Sequence, residues 1–152
     1  MRAFRILAAT AALAAVLAAA PAAAQEEPPA GSCVVAYVVD GDTLNCEDGT
    51  RVRLLLVDAP EGGRFGGLAR RALATLAPVG TKLTLETDST RRDASGRVLA
   101  YAFLADGRFV NETLIRLGYA LFEPDPPNER YVERLRAAEE HAKENGLGVW
   151  SS

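Results

Sequence analysis

The chain has 152 residues, of which 49% are hydrophobic and 24% are charged, a composition that fits one domain with a core of its own. No internal repeat is visible. The formal net charge of −3 argues against a broad basic surface for nucleic acid, so any site for a polyanion has to be a local patch.

Residues 1–24 have the features of a secretory signal. Two arginines precede an apolar run rich in alanine and leucine, and small residues follow up to Ala24. The run is short for a membrane span, although a retained anchor remains an alternative. Cleavage after Ala24 removes two arginines and no acids, leaving 15 Lys+Arg against 20 Asp+Glu, a net charge of −5. We then expect an exported protein, periplasmic or secreted, with a flexible lead-in at 25–32 and one domain at 33–152.

The first part of that domain predicts an antiparallel meander of three strands. β-Branched residues favour strands at 33–39 and 51–57, and Asp-Gly turns on either side define a short middle strand at 42–46. Cys33 and Cys46 flank the first hairpin. An even cysteine count in an exported protein favours a disulfide between them, although sequence alone does not fix the register.

Two acids at the ends of these strands form a candidate cation site. Asp42 opens the second strand and Asp58 closes the third, at similar distances from the turn at Gly49. Positions equidistant from a turn come level in an antiparallel pair, so the two carboxylates should face each other within a residue or two. The spacing therefore predicts a pair suited to a hard cation. For either acid alone, a solvated turn is the alternative interpretation.

The second half of the domain predicts helices and two further strands. A glycine-rich loop at 62–67 is expected to be flexible. The elements that follow are a helix at 68–76, strands at 82–87 and 98–104, a short helix capped by Asn111, and a longer helix at 128–144. This order is of the α+β class and matches a five-stranded OB-fold Greek-key barrel with about three helices. Other small barrels share the pattern.

Three ordered motifs resemble the staphylococcal nuclease (thermonuclease) family. They are Asp-Gly-Asp-Thr at 40–43, Arg-Leu-Leu-Leu-Val-Asp-Ala-Pro-Glu at 53–61, and Asp-Ala-Ser-Gly-Arg-Val-Leu-Ala-Tyr at 93–101. Val-Asn-Glu at 110–112 and the terminal Trp150 also look like that family. Each motif is weak alone, but the ordered set with matching gaps is specific and covers nearly the whole chain after the signal.

The resemblance implies an OB-fold nuclease that uses Ca²⁺ to hydrolyse phosphodiester bonds of DNA and RNA. Asp42 and Asp58 match the family's calcium-binding carboxylates, with the backbone carbonyl of Ala59 as a further ligand. Oxygen ligands of this kind are those that Ca²⁺ prefers. The resemblance also leads us to expect a monomer with DNA or RNA as substrate and no membrane attachment after signal cleavage.

The same resemblance assigns three catalytic residues. Arg53 and Arg97 match the catalytic arginines, and Glu61 matches the acid usually assigned as general base. Two guanidiniums can donate hydrogen bonds in pairs to phosphoryl oxygens as charge builds, and a carboxylate can take a proton from water. Each arginine also has a plainer interpretation, as a surface residue of an edge strand or as part of a loop.

This chain departs from the family pattern at several positions. Ala59 stands where the type member has threonine, Ala94 and Ser95 stand where it has lysine and tyrosine, and the loop after Glu61 is shorter. These departures bear on substrate affinity and rate more than on metal binding, and the sequence leaves open whether they weaken activity. Two other functions stay open: a non-catalytic OB module that binds an oligonucleotide or a protein, and a phosphodiesterase for small nucleotides.

Overall fold

The computed structural model describes residues 31–152, so the expected signal and most of the lead-in lie outside the described residues. The strands are β1 (Gly31–Val38), β2 (Thr43–Cys46), β3 (Arg51–Leu54), β4 (Val57–Asp58), β5 (Lys82–Glu86), β6 (Val98–Phe103) and β7 (Leu121–Phe122). The helices are α1 (Gly63–Leu76), α2 (Val110–Arg116) and α3 (Val132–Glu144), followed by a 3₁₀ turn, Gly148–Trp150. Within residues 31–152, no helix is both long enough and apolar enough to cross a membrane.

The predicted five-stranded barrel is confirmed. Strands β1, β2, β3, β6 and β5 pair in that order and close on themselves, as expected for an α+β protein of the OB type. Strands β3 and β6 are parallel, and the other neighbouring pairs are antiparallel. Burial alternates along β3 and β5, whereas β6 is buried at four consecutive positions, and leucines such as Leu44, Leu54 and Leu83 are fully buried.

The disulfide between Cys33 and Cys46 is present, as predicted. Their Cα atoms lie 5.3 Å apart on the neighbouring strands β1 and β2. Both residues are buried, and the bridge fixes the first hairpin of the barrel. Strand β1 begins at Gly31, two residues earlier than expected, because Gly31 and Ser32 pair with β5.

The predicted third strand at 51–57 is wrong in its second half. The chain leaves the barrel after Leu54 and turns at Leu56, which has a positive φ of 61°. It then forms the two-residue strand β4, which pairs with β7 rather than with β2. Leu54, Leu55 and Leu56 are all buried, so their apolar run looks like a continuous strand although it contains a turn.

The prediction of a flexible glycine loop at 62–67 is also wrong. Helix α1 begins at Gly63, five residues before the predicted start, and includes Gly66 and Gly67. A Cβ added to Gly66 would lie 2.8 Å from the carbonyl carbon of Glu61. Glycine is therefore required here by close packing of the helix on the preceding loop.

Two predicted helix starts need correction. Phe109, not Asn111, occupies the N-cap of α2, because the buried Asn111 side chain binds strand and turn backbone instead. Helix α3 begins at Val132, not at 128. Asn128 lies in the preceding loop, where its side-chain oxygen accepts a hydrogen bond from the N–H of Thr90 at 2.8 Å.

Candidate active site

A tight backbone approach at Gly41 places Asp42. A Cβ at Gly41 would lie 2.5 Å from the Cβ of Ala69 and 2.6 Å from the Cβ of Ala59. Only glycine fits here, between Ala69 of helix α1 and Ala59 at the end of β4. The side chain of Asp40 accepts a hydrogen bond from the N–H of Asp42 at 3.0 Å, which shapes the turn. The Asp-Gly-Asp sequence thus turns the Asp42 side chain towards the residue after β4.

Asp42 is a buried anion with several donors. Its Oδ2 accepts a hydrogen bond from the N–H of Ala59 at 2.9 Å. Its Oδ1 accepts one from the Thr43 hydroxyl at 3.1 Å and lies 3.3 Å from Nε of Arg53. Burial raises the pKa of the Asp42 carboxyl to about 6, because desolvation outweighs the lowering effects of the Ala59 N–H and the Arg53 guanidinium. A cation bound beside Asp42 would favour its charged form.

Arg53 is fixed by the turn that interrupts the third strand. Its Nη1 donates to the backbone carbonyls of Leu54 at 2.8 Å and Val57 at 2.5 Å. These carbonyls flank the positive-φ turn at Leu56, so the unexpected break in the strand provides the acceptors. With Nε beside Asp42, the guanidinium is held on two sides, and its side chain is 18% exposed.

Arg97 is held by a local turn. Oδ1 of Asp93 accepts hydrogen bonds from the N–H groups of Ser95 and Arg97, both at 3.0 Å. Oδ2 of Asp93 accepts from Nε of Arg97 at 2.7 Å. Burial acts to raise the pKa of Asp93, but the hydrogen bonds from Arg97 and Ser95 together keep it below its usual value. The Arg97 side chain is 29% exposed and is oriented within its own loop.

The two predicted catalytic arginines line the same cleft, which has a volume of about 320 Å³. This is the lower end of the size range of ligand sites in proteins. Besides the arginines, its walls comprise the turn 54–57, Thr90, Asp93, Leu99 and residues 123–125. The fold therefore places two arginines from distant parts of the chain on one cleft, and a guanidinium is a group that binds phosphate through paired hydrogen bonds.

The register that predicted Asp42 level with Asp58 is wrong, because the Asp42 carbonyl accepts from the N–H of Leu54 and Asp58 pairs with Leu121. Only the Asp42 side chain reaches the end of β4. Asp58 is exposed there, and the hydrogen bond from Ala59 ties the next residue to the buried Asp42. Within residues 31–152, no group of three or more His, Cys, Asp or Glu side chains could hold a metal ion. Asp42, Asp58 and the carbonyl of Ala59 offer only oxygen donors, so water would have to complete the shell. That donor set fits Ca²⁺, which takes carboxylate, carbonyl and water oxygens, and does not fit a structural zinc.

Glu61, the predicted general base, is exposed in the loop that enters α1. Among the described residues, no hydrogen bond or ion pair joins it to Arg53 or Arg97. Its backbone lies against Gly66, whose missing side chain allows the loop to approach the helix. The structure thus fixes the position of the Glu61 backbone and leaves its carboxylate accessible to water.

Sequence reasoning missed two residues that shape the cleft. Asn111 is buried, accepts a hydrogen bond from the N–H of Ala102 at 3.0 Å and donates to the carbonyl of Leu55 at 2.9 Å. It thereby anchors the turn that holds Arg53. Its motif was visible in the sequence, but a cap was the simpler interpretation. Glu123 lines the cleft beside Arg53, and no local pattern marks it.

The barrel and cleft define an OB-fold protein with two arginines on one cleft, one of them paired with a buried carboxylate. Residues 51–152 match the model of a protein family described as "Staphylococcal nuclease homologue". The chain belongs to the staphylococcal nuclease family.

Several characterised proteins are similar to this chain. Endonuclease YncB of Bacillus subtilis (strain 168) is 39% identical over 129 residues, which cover 74% of this chain and 58% of the relative. The SPbeta prophage-derived endonuclease YokF of the same organism is 37% identical over 128 residues, covering 74% and 42%. The thermonuclease of Staphylococcus intermedius is 34% identical over 128 residues, covering 78% and 76%. The chain thus spans about half the length of the two Bacillus relatives.

Proposed function

We propose that this protein is an exported, Ca²⁺-dependent nuclease that hydrolyses phosphodiester bonds of DNA, RNA or both. The observation that carries the proposal is that Arg53 and Arg97 line one cleft and that Arg53 is paired with the buried carboxylate of Asp42. Membership of the staphylococcal nuclease family supports it, as do the relatives named endonuclease and thermonuclease.

The proposed roles follow from the chemistry of each side chain. Arg53 and Arg97 bind the scissile phosphate and donate to its oxygens more strongly as negative charge develops. Glu61 takes the proton of the attacking water at its carboxylate while the new oxygen–phosphorus bond forms and the ester bond breaks. The leaving oxygen gains its proton from solvent. Calcium, when bound by Asp42, Asp58 and the Ala59 carbonyl, would supply Lewis-acid polarisation of the phosphate.

Export is the second part of the proposal. The signal-like residues 1–24 support it, and so does the disulfide between Cys33 and Cys46, because disulfides persist in oxidising compartments. Mass spectrometry of protein from the periplasm and the medium tests this part. We expect a mature chain that begins at Gln25 and contains no free thiol.

A non-catalytic OB module is the competing proposal. Binding alone gives no reason to hold Arg53 by a buried carboxylate and two carbonyls, which restricts the guanidinium to one orientation. Preorganised donors of this kind are characteristic of sites that stabilise a developing charge.

Incubation of the purified protein with plasmid DNA, RNA and a small phosphodiester, in Ca²⁺ or in chelator, tests the activity. We expect cleavage only in Ca²⁺, loss of cleavage in Glu61→Gln, and normal cleavage in Glu47→Gln, an equal charge change on an exposed turn. Calorimetry should give one calcium site that is weakened in Asp42→Ala and in Asp58→Ala. Cleavage in chelator, or unchanged calcium binding in both variants, would contradict the proposal.

A further inference from the structure

A carboxylate stands beside the catalytic arginine of the cleft. Oε2 of Glu123 lies 3.9 Å from Nη2 of Arg53, and the Glu123 side chain is 57% exposed. The backbone of Glu123 is fixed, because its N–H donates to the carbonyl of Leu56 at 3.1 Å and the preceding Phe122 pairs with Val57. Strand β7 therefore fixes the position of the Glu123 backbone beside the cleft, although the Glu123 carboxylate is exposed to solvent.

Glu123 faces the part of Arg53 that remains for a ligand. Nε of Arg53 is beside Asp42, and Nη1 donates to the carbonyls of Leu54 and Val57. Within the described chain, the structure gives Nη2 no hydrogen bond, and Glu123 is the acid near it. A phosphate that binds through Nη2 must therefore share this nitrogen with a carboxylate or displace it.

The rest of the cleft is also rich in acids. Asp93 and Asp125 line it together with Glu123, against Arg53 and Arg97. The charged residues that line the cleft, three acids and two arginines, therefore carry a formal net charge of −1 before any substrate arrives. The chain as a whole is acidic as well, with a formal net charge of −3.

We propose that Glu123 determines substrate length, directing the enzyme towards short, low-charge phosphodiesters such as dinucleoside monophosphates and short oligonucleotides. This inference rests on the proposed phosphodiester hydrolysis and adds a substrate class to it. A single diester brings one charge, so it meets the repulsion of Glu123 only once. Duplex DNA brings one charge per about 1.7 Å of helix, so many phosphates lie within the screening length of about 10 Å at 0.1 M salt. Repulsion by Glu123 therefore accumulates on a long polyanion and stays small on a short one.

The test compares Glu123→Gln with Glu129→Gln at low salt. Glu129 is a matched control, because it is an exposed acid of the same segment and does not line the cleft. The substrates are a dinucleoside monophosphate, an eight-nucleotide single strand and a long duplex. From the screened interaction of one charge with several phosphates, we expect Glu123→Gln to raise kcat/KM about fivefold on the duplex and at most about twofold on the dinucleotide. The control should change neither, and the gain should vanish at high salt.

A binding measurement separates failure of this inference from failure of the proposed function. Fluorescence anisotropy in Ca²⁺, with each variant placed in a Glu61→Gln background that suppresses cleavage, gives the affinity ratio of duplex to dinucleotide for each variant. A ratio that rises only in Glu123→Gln supports the inference. Equal ratios in the wild type and Glu123→Gln, or the same rise in Glu129→Gln, would overturn it. Absence of hydrolysis of every substrate by the wild type would count against the nuclease proposal alone.

Discussion

The two arginines of the cleft are held by different kinds of structure. Arg53 is held by residues from several parts of the fold. Asp42 comes from the turn before β2, and the Val57 carbonyl comes from the turn that follows β3. Asn111 supports this second turn by its hydrogen bond to the Leu55 carbonyl. Arg97 depends chiefly on Asp93, four residues earlier in the same loop. One arginine is oriented by tertiary structure and the other by local structure.

Because of this difference, substitutions of the two arginines should have similar effects on activity and different effects on stability. Arg53 balances a buried carboxylate, so removing it leaves Asp42 without its ion pair in a site of low exposure. Arg97 pairs with Asp93 at the surface of one loop, where both side chains are more exposed than those of Arg53 and Asp42, and surface pairs contribute little to stability. Activity should therefore depend on both arginines, and stability mainly on Arg53.

Alanine substitutions of the two arginines give the largest expected effect. We expect Arg53→Ala and Arg97→Ala each to lower kcat by about 100- to 1,000-fold, because in the proposed reaction each arginine donates to the developing phosphoryl charge. Arg53→Ala should also lower the free energy of unfolding by about 1–3 kcal/mol, and Arg97→Ala by less than about 1 kcal/mol. Kinetics in Ca²⁺ and urea unfolding in chelator measure the two effects.

Arg108→Ala is the control for both arginine variants. Its side chain is 60% exposed and pairs with Asp106 away from the cleft, so neither activity nor stability should change appreciably. Equal losses of stability in Arg53→Ala and Arg97→Ala would show that the two regions do not differ as described.

Asn111→Ala tests the tertiary support of Arg53. The substitution leaves the N–H of Ala102 and the carbonyl of Leu55 buried without their partner, which should cost about 2–4 kcal/mol of unfolding free energy. Asn145→Ala is the matched control, because that side chain bonds a carbonyl at an exposed helix end. If Asn111→Ala were as stable as the control in urea unfolding, Asn111 would not anchor the turn.

Much of the fold could be predicted because local patterns and topology agree. β-Branched residues, Asp-Gly turns and the alternation at 82–87 predict barrel strands, and two cysteines that flank a hairpin in an exported chain favour the disulfide. The break after Leu54 could not be predicted, because a turn made of buried leucines has the composition of a strand. The early start of α1 was missed because Gly66 is explained only by its distance from Glu61.

The residues of the candidate site also fall into two groups: those that a local sequence pattern marks and those that only the fold places. Asp42, Arg53 and Arg97 lie in motifs, and their neighbours Asp93 and Thr43 are within a few residues of them. Glu123 reaches Arg53 only through the pairing of β4 with β7, two strands of two residues each. Strands this short leave no periodicity in a sequence, so contacts that depend on them are visible only in the folded structure.

The acid titration of Asp88 gives the smallest expected effect and tests how the loop of Arg97 is attached to the domain. Oδ2 of Asp88 accepts hydrogen bonds from the hydroxyl of Tyr101 at 2.7 Å and the N–H of Arg130 at 3.0 Å, and Oδ1 accepts from the N–H of Ser89 at 2.8 Å. Burial acts to raise the pKa of Asp88, but these hydrogen bonds together hold it below its usual value.

A carboxyl whose pKa is lower in the folded chain than in the unfolded chain stabilises the fold above the unfolded value of 3.8, and this contribution is lost as pH falls through the folded value. The wild type should therefore be more stable than Asp88→Asn at pH 6, and the two stabilities should converge as the pH falls below about 4. Asp48→Asn is the control for an acid outside this loop. Like Asp88, Asp48 accepts a backbone hydrogen bond, in this case from the N–H of Thr50 in the exposed β2–β3 turn. Urea unfolding in chelator from pH 6 to pH 3 measures the difference. A constant gap between the wild type and Asp88→Asn would mean that the Asp88 charge does not hold the loop, and that Arg97 relies on its local turn alone.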